Sequence, residues 1–297
     1  MADLRTLADL IDVCLARSEG VVDDTTYAEL TALGVKVRQR SGFVGEVVVI
    51  ALAGGTGSGK SSLLNALCRT PVARVSIERP TTSRSLAAVP SSSPADLNPL
   101  MDALGIDDVV EVDALEHTVI VDLPDFDSTF VDHRAIVERI LGAVDAVAWV
   151  FDPEKYADRL VHDVFLRPLR PYADQMVFVL NQADRLGSNV KQVVESARLH
   201  LVADGYTEPE VVTTIALATE SVDLDTSQLE TAIAGRFDAK RSVIAKLATE
   251  VGEVANRLWK RLGDQPQRTD LAVARATLVS LGVAAAETRH RLDPKDD

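Results

Sequence analysis

Aromatic side chains are scarce, with Phe, Trp and Tyr making up 4% of the residues. A core must therefore be built mainly from Val, Leu, Ala and Ile. Cysteine is scarcer still. Cys14 and Cys68 stand far apart with no metal-ligand spacing, and they read as reduced thiols of a cytosolic protein. No run of 18 apolar residues occurs, so no segment reads as spanning a bilayer. Met1-Ala2-Asp3-Leu4-Arg5 lacks the basic and then apolar regions of a signal peptide. Positive charge is also short: 31 Lys and Arg against 45 Asp and Glu leave a net charge of −14. That balance argues against broad electrostatic binding to nucleic acid or anionic lipid, while leaving room for a local basic patch.

What is present organises itself around Gly54-Gly55-Thr56-Gly57-Ser58-Gly59-Lys60-Ser61, which fits the phosphate-loop pattern G-x-x-x-x-G-K-[ST]. An apolar, β-branched stretch over 47–53 precedes it and reads as a buried parallel strand; Ser62 to Cys68 reads as a helix. Glycines let the backbone wrap closely around phosphates, and the helix start adds the positive end of its dipole. Lys60 can reach the β- and γ-phosphates, and the Ser61 hydroxyl can ligate Mg²⁺. This is a nucleoside triphosphate site, but the loop spelling alone suits an ATPase equally well.

Along the chain, 3–17 and a segment starting at Thr26 read as helices, the second with capping-box spacing. Further strands are expected at 85–89, 118–121, 146–151, 176–180 and 211–215. Helices are expected from Pro94 to Gly105, over 130–141, 156–169 and 189–203, and from Thr226 or Ser227 to Gly235. Strands alternating with helices predict an α/β fold: a mostly parallel central sheet covered on both faces, with ligands at the strand C-terminal ends. From 238 the pattern is helical only, with Val243, Leu247, Val251, Val254, Leu258 and Leu262 three or four apart. The expected domains are N-terminal helices over 1–45, a nucleotide-binding domain over 46–235, and a C-terminal helical region over 236–297 that packs with the N-terminal helices. The five histidines show no metal spacing.

Asn181-Gln182-Ala183-Asp184 follows a buried strand far downstream of the phosphate loop. There it resembles the N-K-x-D element of the translation-factor-related GTPases. An Asp184 carboxylate can accept from the guanine N1–H and exocyclic amine, whereas adenine would leave that acceptor unpaired at about 1–3 kcal/mol. Asp122-Leu123-Pro124-Asp125 resembles D-x-x-G, and Arg79-Pro80-Thr81-Thr82-Ser83-Arg84 resembles an Era-type switch I. The chain is similar, over about 46–235, to bacterial Era-like and dynamin-like GTPases of the translation-factor-related class of P-loop NTPases. Asp122-Leu123-Pro124-Asp125 and the stretch Trp149 to Asp158 resemble the actinobacterial type.

The resemblance implies guanine nucleotide, GTP or GDP, held by Gly55, Thr56, Gly57, Ser58, Gly59, Lys60, Ser61, Ser62, Asn181, Gln182, Asp184 and Ala216. It implies Mg²⁺ on Ser61, Thr82 and Asp122, with Lys60 and Thr82 in the catalytic role. Three departures stand out: Gln182 where the family has Lys, Asp125 where it has Gly, and Phe126 where Ras-like proteins carry the water-orienting Gln. Gly57 also removes the usual potassium ligand. The expectation is a molecular switch with slow intrinsic hydrolysis in the cytoplasm. A protein partner or homodimer is expected, nucleic acid is not, and any membrane attachment would come through missing residues or another protein. The alternative is a GTP- and GDP-binding module with little hydrolysis, acting as a scaffold.

Overall fold

In this computed structural model the described residues are 11–12, 14–16, 23–40, 47–73, 85–92, 97–124 and 140–262. Their strands are β1 (Val48–Ala53), β2 (Leu86–Pro90), β3 (Asp108–Val112), β4 (Thr118–Asp122), β5 (Ala146–Phe151), β6 (Met176–Leu180) and β7 (Val211–Thr213). They form one sheet in the order β3-β2-β4-β1-β5-β6-β7. Every neighbouring pair is parallel except β2 and β4. The expected mostly parallel sheet is what is found. Strands β1, β5 and β6 are buried at every position, which is why each reads as an unbroken apolar run.

The longer described helices are α1 (Asp24–Arg40), α2 (Lys60–Cys68), α3 (Asn98–Leu104), α4 (Val190–Ala203) and α5 (Ser227–Leu262). Alternation along the strands sorts the two faces of the sheet. On one face Val48, Ile50 and Leu52 share a core with Leu63, Leu64 and Leu67 of α2 and Leu229 and Ile233 of α5. On the other the scarce aromatics gather: Trp149 packs on Phe165, and Phe178 packs on both Phe151 and Tyr206. Both cysteines are buried and neither is in a disulfide, and burial pushes the Cys68 thiol up to about 11.

Several elements differ from their sequence expectations. Strand β3 was not expected, because this edge strand is largely exposed and carries no continuous apolar pattern. Helix α1 begins at Asp24 rather than Thr26: the Asp23 carboxylate accepts from the Thr26 backbone N–H at 2.9 Å and so caps the helix first. Helix α3 begins at Asn98, and Ser93 and Pro94 lie outside the described residues. The expected helix over 156–169 is broken into an α-turn at Arg159–Val161, a π-turn at His162–Leu166 and an α-turn at Arg167–Leu169, followed by a 3₁₀ segment at Arg170–Gln175. Pro168 has no N–H for the carbonyl of Val164, so regular α-bonding fails there.

Helix α5 runs through Gly235, where a stop was expected. A glycine inside a helix costs only about 1 kcal/mol, which the rest of a long helix outweighs. Of the expected helices over 3–17 and 130–141, only 11–12, 14–16 and 140–141 are described, all helical. Residues 263–297 lie outside the description. The chain divides into two units, Val47–Phe237 and Met1–Glu46 with Asp238–Asp297; in the latter Ile11, Cys14, Leu30, Leu33 and Val254 are buried. Among the described residues no helix is long and apolar enough to cross a membrane.

Candidate functional site

At the C-terminal end of β1 the chain leaves the sheet through Gly54, whose φ is +147°. A Cβ there would stand 2.3 Å from the Val150 carbonyl oxygen of β5. Gly59, at φ +90°, is crowded in the same way: its Cβ would lie 2.4 Å from Asn181 Nδ2. Only glycine lets this loop lie so close to both β5 and the loop after β6. Helix α2 starts at Lys60, putting the positive end of its dipole at the end of the loop.

Lys60 is buried, and its Nζ donates to the Gly54 carbonyl at 2.9 Å and faces that of Gly55 at 3.5 Å. A buried ammonium curled into its own loop is a ready partner for phosphate oxygens. Ser58 Oγ is buried without a hydrogen-bond partner among the described residues. The Ser61 hydroxyl donates to Asp122 Oδ2 at 2.7 Å, from the first turn of α2 to the end of β4. The Asp122 residue is fully buried.

The Asn181 loop is bonded to the phosphate loop directly. Asn181 Nδ2 donates to the Ser58 carbonyl at 3.0 Å, and Asn181 Oδ1 accepts from Thr214 Oγ1 at 3.0 Å. Gln182, in the left-handed region at φ +57°, donates through Nε2 to the Gly57 carbonyl at 3.1 Å. Asp184 follows, half-buried, in the first turn of a 3₁₀ segment at Ala183–Asn189. The Ala183 N–H donates to the Thr214 carbonyl, and an Ile215–Asp225 bridge holds the next stretch. Ala216 is buried beyond it. Ala216 and Ser62 line one open cavity of about 760 Å³ together with Asn65, Arg69, Leu217 and Asp225.

The structure thus brings Gly55 to Ser62, Asp122, Asn181, Gln182 and Asp184 to one end of the sheet, and Ala216 lines the same cavity as Ser62. Thr82, with Thr81, Arg79 and Arg84, lies outside the described residues, as do Asp125 and Phe126. Two contributors were missed. Thr214 carries no local motif and meets Asn181 only through strand pairing. Lys155 donates to the Thr56 carbonyl at 3.1 Å from a turn after β5 in which Asp152 Oδ1 accepts from the Glu154 and Lys155 N–H groups. Its stretch, Trp149 to Asp158, enters the sequence reading only through the resemblance to the actinobacterial type.

The family model described as 50S ribosome-binding GTPase matches residues 49–199. The chain belongs to this family. Among solved structures, the chain is similar to a chain from an oligomerised bacterial dynamin pair said to sense and tether membranes over long range. The two are 15% identical with a TM-score of 0.54, over 97% of this chain and 50% of that one. The chain therefore spans about half the length of that relative. It also matches Era in complex with MgGDPNP and a 16S ribosomal RNA segment: 18% identity, TM-score 0.46, over 64% of this chain and 57% of that one. Toc33 from Arabidopsis thaliana with GDP and Mg²⁺ matches at 19% identity and TM-score 0.45, over 73% and 92% of the two chains. No curated protein matches the sequence.

As a member of a GTPase family the chain takes guanine nucleotide, and the residues present fit a Mg²⁺ ion beside it. Among the described residues no group of three His, Cys, Asp or Glu could hold a metal alone. A cation here would rest on Ser61, Asp122 and phosphate oxygens, the sparse oxygen set that suits Mg²⁺.

Proposed function

We propose that this GTPase is a slow guanine-nucleotide switch, hydrolysing GTP to GDP and phosphate and presenting the difference to a protein partner or a second copy of itself. The observation that carries the reading is the Asn181 bond to the Ser58 carbonyl, which ties a base-reading loop to a phosphate loop. In this reading Asp184 accepts from guanine N1–H and its amine, while Asn181, Gln182 and Ala216 frame the base. Gly55 to Ser62 wrap the phosphates and Lys60 offsets their charge. Ser61 and Asp122 hold Mg²⁺, joined by Thr82 when the γ-phosphate is present. The residues over 1–45 and 236–297 pass the nucleotide state on from the domain over 46–235.

Slow hydrolysis follows from Asp125, a second carboxylate near the γ-phosphate, and from Phe126, which cannot orient water. The same two residues favour a second reading, a GTP- and GDP-binding module with little turnover that serves as a scaffold. Two thiols outside any disulfide support a cytoplasmic place, and any membrane contact would come through residues outside this sequence or through another protein.

Competition of GDP, GTP, ADP and ATP against a fluorescent GDP analogue, with Mg²⁺ present, tests the base assignment. Only guanine nucleotides should displace it, and Asp184→Asn should weaken GTP and admit xanthine nucleotide. Unchanged guanine affinity in that variant sinks the role of Asp184. Single-turnover hydrolysis over a range of protein concentrations then separates the two readings: a rate that climbs with concentration marks a self-activating switch, and no turnover marks the module.

A further inference from the structure

The Gln182 amide has two ends of equal size, one donating and one accepting, and only the donating end can meet the Gly57 carbonyl. Nε2 lies 3.1 Å from that oxygen. The other end fixes the choice, because Arg185 Nη1 donates to Gln182 Oε1 at 2.7 Å. An arginine offers donors only, so the amide oxygen must face it and the amide nitrogen must face the phosphate loop. Arg185 is held in turn, its second Nη donating to Glu154 Oε1. Glu154 adjoins Lys155, whose Nζ returns to the phosphate loop at the Thr56 carbonyl. A closed circuit therefore runs from the phosphate loop through Gln182, Arg185, Glu154 and Lys155 and back.

We propose that Arg185 is a positioning residue of this nucleotide site, orienting the Gln182 amide so that the base loop is latched to the phosphate loop. The inference rests on the guanine-binding reading above. Gln182 sits at φ +57°, an unfavourable region for a residue with a Cβ, so its backbone needs side-chain contacts to stay put. Asp184 is two residues further on, and a loosened Gln182 frees it too. Arg185 and Glu154 are 46% and 68% exposed at the side chain, so their ion pair adds little to folding by itself. What the pair supplies is direction. A lysine at 182 would need none: an ammonium has donors only and reaches the same carbonyl without being turned. Beside Arg185, however, it would meet a like charge.

The test is the release rate of a fluorescent GDP analogue from the full chain with Mg²⁺. Arg185→Ala should release it about three- to tenfold faster. Gln182→Lys alone should also release faster, through repulsion. The double variant should return to within about twofold of the unsubstituted chain, because lysine replaces the oriented amide once the arginine is gone. An arginine that merely stabilises the fold would not show this reversal, and melting temperatures without nucleotide should match in all four chains. An unchanged rate in Arg185→Ala overturns the proposal. So does a faster rate that Gln182→Lys leaves unrelieved, or one matched by a loss of melting temperature. If the unsubstituted chain fails to bind the analogue, the guanine reading itself falls, and this inference with it.

Discussion

Asn181 uses both ends of its side chain, one on the phosphate loop and one on Thr214 Oγ1. Thr214 is 1% exposed, so the Asn181 oxygen has no easy recourse to water if that donor goes. Thr214→Val keeps the shape and removes the hydroxyl; the stranded acceptor should cost about 1–3 kcal/mol. A lower urea midpoint at unchanged slope would register it, with faster release of bound GDP analogue. The phosphate-loop residues were legible in the sequence because consecutive positions carry the chemistry, and Asn181 to Asp184 because they form a short motif. Thr214 was not. It reaches Asn181 because Leu180 stands beside Thr213 in the register of β6 and β7, a pairing that no local pattern encodes. Lys155 is similar, since the chain that brings it to Thr56 is 99 residues long.

The broken helix between β5 and β6 is built around one buried polar group. His162 is set between Asp204 and the Tyr156 carbonyl, its Nδ1 facing the carboxylate and its Nε2 the carbonyl, and Arg167 Nε donates to the other Asp204 oxygen at 2.9 Å. The Asp204 side chain is 2% exposed. His162→Ala should therefore leave a poorly compensated carboxylate inside the protein and cost about 3 kcal/mol, read as a lower melting temperature. Strands β1, β5 and β6 were easy to place because burial on both faces writes an unbroken apolar run into the sequence. The π-turn was not, because apolar spacing over 159–169 cannot distinguish bonding to the fourth residue back from bonding to the fifth. Edge strand β3, mostly facing water, gave no period at all.

For the whole molecule the governing quantity is the net charge of −14. A phosphate backbone brought near such a surface gains little from counterion release. A structured RNA should therefore show no mobility shift with this protein at about 0.15 M salt, where the Debye length is ~8 Å. A shift that vanishes as salt is raised would instead expose a local basic patch. The fold class was legible because alternation of strand and helix is a property of long stretches. The limits of individual helices were not, and α5 passing through Gly235 shows how weakly one glycine binds an element's end.

The antiparallel pairing of β2 with β4 puts Leu86 opposite Asp122. Leu86 is the first strand residue after the segment that bears Thr81 and Thr82, and Asp122 is the carboxylate joined to Ser61. Sliding one strand past the other by a single residue would turn every side chain to the wrong face, so that register is fixed. The start of β2 and the Asp122 backbone are therefore held in a fixed relation by the sheet itself.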